Sequence, residues 1–96
     1  WRQARWPSAE ARVLANLGTL CVQTNQLPEA ARHFDSAGLA GAASGDLLFQ
    51  AKMLLQQARV SKRQGQAPMA KQLSQRARTL CVDLGWEEGR LQAEAV

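Results

Sequence analysis

The feature of this 96-residue chain that most constrains its fold is an internal repeat with an offset of 40 residues. At this offset Pro28 coincides with Pro68, and Gly45 coincides with Gly85. Further matches pair Ala11 with Ala51, Leu14 with Leu54, Gln26 with Gln66, Ala30 with Ala70, and Ala37 with Ala77. Because the matches fall on punctuating and small residues, the chain is predicted to contain two copies of one structural unit.

Proline and glycine divide each unit into helices. Proline is tolerated in the first turn of a helix, where its missing amide has no partner to lose, and glycine commonly follows the last turn. The predicted helices span residues 7–24, 28 to the small-residue run 41–45, 46–64 with Asp46 as N-cap, 68–83, and from 86 onward. The chain is rich in Ala and Leu and has no Ile, which favours helices over strands. The predicted fold class is all-α, with antiparallel helix pairs.

The first pair of predicted helices resembles a tetratricopeptide (TPR) repeat. Leu17-Gly18 matches the Leu-Gly pair of the motif, and Ala30 and Phe34 match its spaced Ala and Phe. Leu14 and Cys21 stand where the motif has Trp and Tyr, so the row of Leu14, Leu17 and Cys21 is expected to face the core. Gly18 and Ala30 are expected where the two helices cross most closely, since a larger side chain would push the axes apart.

The second pair departs from the motif: Gln57-Ala58 replaces Leu-Gly, Ser61 replaces the Tyr, and Ser74 replaces Phe. Looser packing is therefore expected in this unit. The 40-residue spacing and the segment Asn16-Leu17-Gly18 resemble the extended TPRs of Pins/LGN-type polarity scaffolds. Similar long repeats occur in bacterial regulators of the MalT and AfsR kind. The resemblance implies helix pairs stacked as a right-handed superhelix, an α–α solenoid.

The repeat divides the chain into four parts. Residues 1–5 align with the end of a preceding repeat, 6–45 form repeat one, 46–85 form repeat two, and 86–96 start a further repeat. The segment is thus predicted to come from a longer array. Exposed apolar ends are expected to make it self-associate. At the junctions, Trp6 and Trp86 are expected to pack between repeats, with a surface hot spot as the alternative.

The resemblance also implies a binding surface, because TPR arrays bind peptides on the concave face lined by the first helix of each pair. The residues expected to line that face are Arg12, Asn16, Thr19 and Gln23 in the first unit, and Lys52, Gln56, Arg59 and Arg63 in the second; Gln92 begins the third stripe. Amides can bond to a peptide backbone, and Arg offers a fork of donors to carboxylates. A solvated helix surface without a ligand is the alternative interpretation.

The charge distribution indicates an acidic partner. Seven basic residues and no acidic residue lie between Leu47 and Val82: Lys52, Arg59, Lys62, Arg63, Lys71, Arg76 and Arg78. A positive surface of this kind attracts acidic partners and is weakened by salt. Nucleic acid is disfavoured as the partner, because the basic residues spread over both helices and the region lacks aromatic side chains for base stacking, apart from Phe49 at its edge.

No pattern in the chain predicts catalysis. His33 is the only histidine, and no Ser or Cys has a matching base in the pattern. No glycine loop for phosphate follows a strand; the run Gly41 to Gly45 is interpreted as a turn between helices. We therefore expect no enzyme activity, no cofactor, no metal and no small-molecule substrate.

The sequence predicts a protein–protein interaction scaffold that binds an extended, acidic peptide segment. The alternatives are a sensor or oligomerisation arm of a multi-domain transcriptional regulator, and an architectural spacer. Cys21 and Cys81 are too few and too far apart for a disulfide framework, so reduced thiols and a cytoplasmic location are expected. No segment is apolar enough to predict a membrane span.

Overall fold

The computed structural model describes the backbone of residues 7–96 and the side chains of residues 9–96, and within this range the protein is all-α, without strands. The five helices are α1 (Pro7–Gln23), α2 (Leu27–Ala43), α3 (Leu47–Arg63), α4 (Ala67–Leu84) and α5 (Glu87–Ala95). The predicted all-α fold class is thereby confirmed. Trp6 and residues 1–5, the predicted end of a preceding repeat, lie outside the described residues.

The helices follow a period of 20 residues, half the repeat seen in the sequence. They begin at residues 7, 27, 47, 67 and 87. Each connection contains one residue with positive φ: Asn25 at 62°, Gly45 and Gly65 at 78°, and Gly85 at 73°. Glycine adopts this left-handed conformation at no steric cost, and Asn tolerates it better than most residues. The periodic left-handed residue ends each helix after the same number of turns.

Asp46 caps α3, as the sequence predicts. Its Oδ1 accepts a hydrogen bond from the backbone amide of Phe49 at 3.0 Å. Asp46→Ala is expected to lower the free energy of unfolding by about 1 kcal/mol, because one amide of the first turn loses its partner. Asp46→Asn should retain most of this stability, since the side-chain oxygen is kept. Urea denaturation of the three proteins checks the prediction, and equal midpoints for wild type and the Ala variant would contradict it.

Each helix contacts the one before it and the one after it, and α3 also contacts α5. Connections of two or three residues force consecutive helices to run antiparallel. The molecule measures 45 × 32 × 18 Å along its principal axes, and the shortest dimension accommodates two layers of helices about 10 Å in diameter. Of the five helices, α3 has the most neighbours, because it contacts α2, α4 and α5.

The first core cluster joins α2 to α1 and α3. Phe34 is its largest fully buried side chain, and Ala30, Ala37, Met53 and Val60 surround it. Leu14 and Cys21 from α1 pack against this cluster. A Cβ atom built on Gly18 would lie 2.8 Å from the Phe34 ring, so the Phe34 ring occupies the space that a side chain at position 18 would fill. The expected small-residue crossing of α1 and α2 therefore involves Gly18 and an aromatic ring.

The second core cluster joins α3, α4 and α5. Its buried members are Leu54, Leu55, Ala77 and Ala93, and the half-buried Trp86 packs against them. The Trp86 ring also lies against Gly89, where a side chain would collide with it. Trp86 therefore packs at the junction between α4 and α5, the place expected for core packing between units.

Two expectations from the sequence were wrong in detail. Leu17 does not face the core: its side chain is 40% exposed, while Leu14 and Cys21 on the same helix pack inward. The run from Gly41 is also not a turn throughout, because residues 41–43 complete α2. Gly41 is buried there against the ring of Phe49. In both cases contact with a neighbouring helix, which the local pattern does not reveal, decides the outcome.

Candidate functional site

The four candidate residues on α1 are exposed. Arg12, Asn16, Thr19 and Gln23 all point away from the core clusters. Thr19 donates a hydrogen bond from its hydroxyl to the carbonyl oxygen of Ala15 at 3.0 Å, one turn earlier in the helix. Its hydroxyl proton is therefore used within α1, and its oxygen is left to accept hydrogen bonds. The amides of Asn16 and Gln23 are the remaining polar groups that could bond to a peptide backbone.

The four candidate residues on α3 form what we call the basic face: Lys52, Gln56, Arg59 and Arg63. The three cationic residues are exposed, and Gln56 is half-buried. Successive residues of a helix are rotated by about 100°, so side chains at positions 52, 56, 59 and 63 project from one side of α3. The structure therefore brings three positive charges into one row along the helix.

Helix α5 adjoins the basic face. Arg59 donates a hydrogen bond from Nη2 to Oε1 of Gln92 at 3.1 Å. The ammonium group of Lys52 lies 5.8 Å from the centroid of the Trp86 ring, within the range of a cation–π contact. Gln92, the first residue of the predicted third stripe, is thus placed beside the second stripe. The basic face continues from α3 onto α5.

The α1 candidates are not joined to the basic face in the same way. No hydrogen bond or ion pair among residues 7–96 connects Arg12, Asn16, Thr19 or Gln23 with the candidates on α3. The direct polar connection is between α3 and α5 alone. The structure consequently unites the second and third predicted stripes, and leaves the first as a separate exposed surface.

The positive charge of the basic face is not neutralised by carboxylates. Of the seven basic residues between positions 47 and 82, only Arg78 has an ion pair within residues 9–96, with its Nε 2.8 Å from Oε2 of Glu94. Lys52, Arg59 and Arg63 have no carboxylate partner in this part of the chain. An acidic ligand would therefore not have to displace an internal partner.

Acidic residues instead hold α5 in place. Arg90 bonds to both Glu87 and Glu94, and Arg78 of α4 bonds to Glu94. The hydrogen bond from Arg90 lowers the pKa of Glu87, and those from Arg78 and Arg90 lower the pKa of Glu94. Both carboxylates are thus ionised at neutral pH. The network attaches α5, and with it Gln92, to α4.

The cysteines show no sign of reactivity. Cys81 is buried in α4, and burial raises the pKa of its thiol. A buried, protonated thiol is a poor nucleophile. Cys21 is half-buried and packs against the first core cluster. Both cysteines therefore act as small apolar core residues, as the sequence predicts.

The sequence did not predict a cleft of about 450 Å³ between α2 and α4, which we call the α2–α4 cleft. Leu54 and Ser61 of α3 contribute to its lining, as do the exposed side chains of Leu39 and Met69. It opens on the side of α3 opposite the basic face, because residues 54, 57 and 61 are rotated by about half a turn from residues 52, 59 and 63. The row of polar residues at positions 50, 57, 61 and 64 on this central helix was the available signal.

A second cleft, of about 400 Å³, lies where α4 passes the end of α5. Ser74 lines it, at the position equivalent to Phe34 in the first unit. Phe34 is fully buried, whereas Ser74 is half-buried and leaves this space unfilled. The open space agrees with the expectation of looser packing in the second unit.

No model of a known protein family matches the sequence, and no characterised protein or solved structure matches it significantly. Within residues 7–96, no group of His, Cys, Asp and Glu side chains is arranged to hold a metal ion. The same part of the chain contains no helix that combines the length and apolarity needed to cross a bilayer. The chemistry available to this protein is therefore that of its exposed helix surfaces.

Proposed function

We propose that this protein is a TPR-like interaction scaffold whose basic face binds an extended, acidic peptide segment of a partner protein. In this proposal the helix pairs stack as a right-handed superhelix, and α1, α3 and α5 line its concave side. The observation that carries the proposal is the row of exposed cations, Lys52, Arg59 and Arg63, none of which has a carboxylate partner within residues 9–96.

Three features support the repeat architecture. The helices begin at 20-residue intervals, and α1–α2 and α3–α4 are equivalent at an offset of 40 residues. The contact between α3 and α5 places the first helices of successive pairs side by side, as a concave surface requires. Gly18 packs closely against Phe34, as the Leu-Gly and Phe positions of the motif would require. These features favour stacked pairs over a closed bundle.

The proposed mechanism of binding is preorganisation. Arg59 is held by Gln92, and Lys52 lies over Trp86, so part of their side-chain freedom is already lost before a ligand arrives. Less conformational entropy then remains to be lost on binding. Arg59 and Arg63 would bind carboxylates through charge-assisted hydrogen bonds, and the amide of Gln56 would bond to the peptide backbone.

The proposal predicts that Arg59→Glu with Arg63→Glu weakens binding of acidic peptides by about tenfold or more, because two charge-assisted hydrogen bonds are lost at about 1.5 kcal/mol or more each. Peptides are first selected on the wild-type protein from a random library of peptides displayed on phage. Their affinities are then measured by fluorescence anisotropy at low and at moderate salt. Selected peptides should be enriched in Asp and Glu, and their affinity should fall as salt rises.

Lys71→Glu with Arg76→Glu provides the matched control. Both double variants lower the net charge from +4 to zero, since each reversal changes the charge by two units. Both control residues are exposed and lie on α4, away from the basic face. Equal weakening by the two variants would show that only total charge matters and would overturn the proposed site. Failure to select acidic peptides would overturn the proposed ligand.

A further inference from the structure

Helix α1 carries an apolar stripe that no part of the described chain covers. Val13, Leu17 and Leu20, which we call the α1 stripe, are 58%, 40% and 55% exposed. Their spacing of four and three residues places all three on one side of the helix. Contiguous apolar side chains at this spacing are typical of a helix surface that packs against another helix.

The repeat shows that this surface is one that packs. At the offset of 40 residues, Val13 and Leu20 correspond to Met53 and Val60 of α3. Met53 and Val60 are only 6% and 2% exposed, because they belong to the core cluster formed with α2. The same side of the equivalent helix is thus covered in the second unit and open in the first. A helix is the type of partner that the α1 stripe fits.

We propose that the partner is the α1 stripe of a second copy of this chain, related to the first by a twofold axis. In an antiparallel pair centred near Leu17, Leu17 of one copy faces Leu17 of the other, and Val13 faces Leu20. The alternating spacing of three and four residues is that of a helix seam in which side chains interdigitate. A twofold interface requires a surface that is complementary to itself, and this near-symmetrical stripe meets the requirement.

The charge distribution favours this contact over pairing through the other surfaces. Helix α1 contains one acidic and one basic residue, Glu10 and Arg12, so its net charge is zero. The whole excess of +4 arises after residue 50. Two copies that meet through α1 therefore bring neutral surfaces together, whereas contact through α3 or α4 would bring like charges together.

The contact is small, which sets the affinity to expect. At 1.5 Å per residue α1 is about 25 Å long, so the paired surface is about a few hundred Å² per copy, below the 800 Å² of a typical stable complex. We expect a dissociation constant above about 1 µM. If the proposed function also holds, the dimer presents two basic faces and gains affinity for a partner with two acidic segments.

Sedimentation equilibrium of the whole chain over about 5–500 µM tests the proposal. Wild type should show a monomer–dimer equilibrium, and Leu20→Glu should raise its dissociation constant at least tenfold. Leu39→Glu is the matched control, because Leu39 is a 67% exposed leucine outside the α1 stripe and the charge change is the same. Val13→Glu provides a second variant should Leu20→Glu fail to fold by circular dichroism. A monomer at every concentration, or equal effects of Leu20→Glu and Leu39→Glu, would overturn the proposal.

A crosslinking experiment tests the twofold geometry. In a background with Cys21→Ala and Cys81→Ala, Leu17→Cys should form a disulfide-linked dimer under mild oxidation, because position 17 faces itself. Val13→Cys alone should form little dimer, whereas mixing Val13→Cys with Leu20→Cys should form a heterodimer. A dimer that dissociates with Leu20→Glu yet does not crosslink at position 17 would instead indicate head-to-tail docking on another helix and would overturn the twofold pairing. Peptide selection on the basic face is scored separately, so each proposal can fail alone.

Discussion

Phe34→Ala is expected to lower the free energy of unfolding by about 3–5 kcal/mol, because it empties the centre of the first core cluster. Phe34 is 1% exposed and is the largest residue that α1, α2 and α3 bury together. Its removal leaves a cavity bordered by helix backbone at Gly18, which a side chain cannot collapse to fill. Since a domain of this size has a total stability of roughly 5–15 kcal/mol, the variant should be close to unfolding at room temperature.

Ser74→Ala is the internal control, because Ser74 occupies the equivalent position in the second unit. Ser74 is half-buried beside an open cleft, so its replacement should change stability by less than about 0.5 kcal/mol. Urea denaturation followed by circular dichroism gives both values. A loss below about 1 kcal/mol for Phe34→Ala would mean that the ring does not anchor the first unit.

Gly18→Leu is expected to lower the free energy of unfolding by about 3 kcal/mol through overpacking. A Cβ at position 18 would lie 2.8 Å from Cε1 of Phe34 and 2.9 Å from Cδ1. The Phe34 ring is buried on all sides and cannot move aside, so α1 and α2 must separate. Leu is a good helix former, and the loss therefore cannot arise from helix propensity.

Gly38→Ala tests whether the effect is specific to position 18. Gly38 also lies inside a helix, but a Cβ there would meet only Met53 Cβ at 3.6 Å, an ordinary contact. Ala in place of Gly should then stabilise the protein by about 0.5–1 kcal/mol, because less backbone entropy is lost on folding. Thermal unfolding of the two variants should show shifts of opposite sign; a stabilising Gly18→Leu would refute the close approach.

The local punctuation of this fold was largely predictable. Asp46, Pro28, Pro68 and the glycines at 65 and 85 act through their own backbone or through hydrogen bonds to residues a few positions away. The helix bounds followed from them to within a few residues. The sequence indicates a break at Asn25, but it does not reveal that Asn25 is the left-handed equivalent of Gly65, which completes the 20-residue period.

The candidate site was less predictable. Helical spacing correctly places Lys52, Arg59 and Arg63 in one exposed row on α3. The spacing does not reveal that Gln92 and Trp86 lie beside that row, because their contacts join residues about 33 positions apart. The α2–α4 cleft was not predictable for the same reason: it exists only because two helices that are distant in sequence stand apart over α3.

The sequence by itself determined where each helix begins and ends and that the fold is all-α, because capping, proline geometry and left-handed glycines act over a few residues. Only the tertiary structure decided which side of each helix is buried. Leu17 shows the difference: its apolar character and spacing predict burial beside Leu14, yet it is 40% exposed. Burial depends on whether a neighbouring helix is present to exclude water, and that neighbour lies elsewhere in the chain or on another molecule.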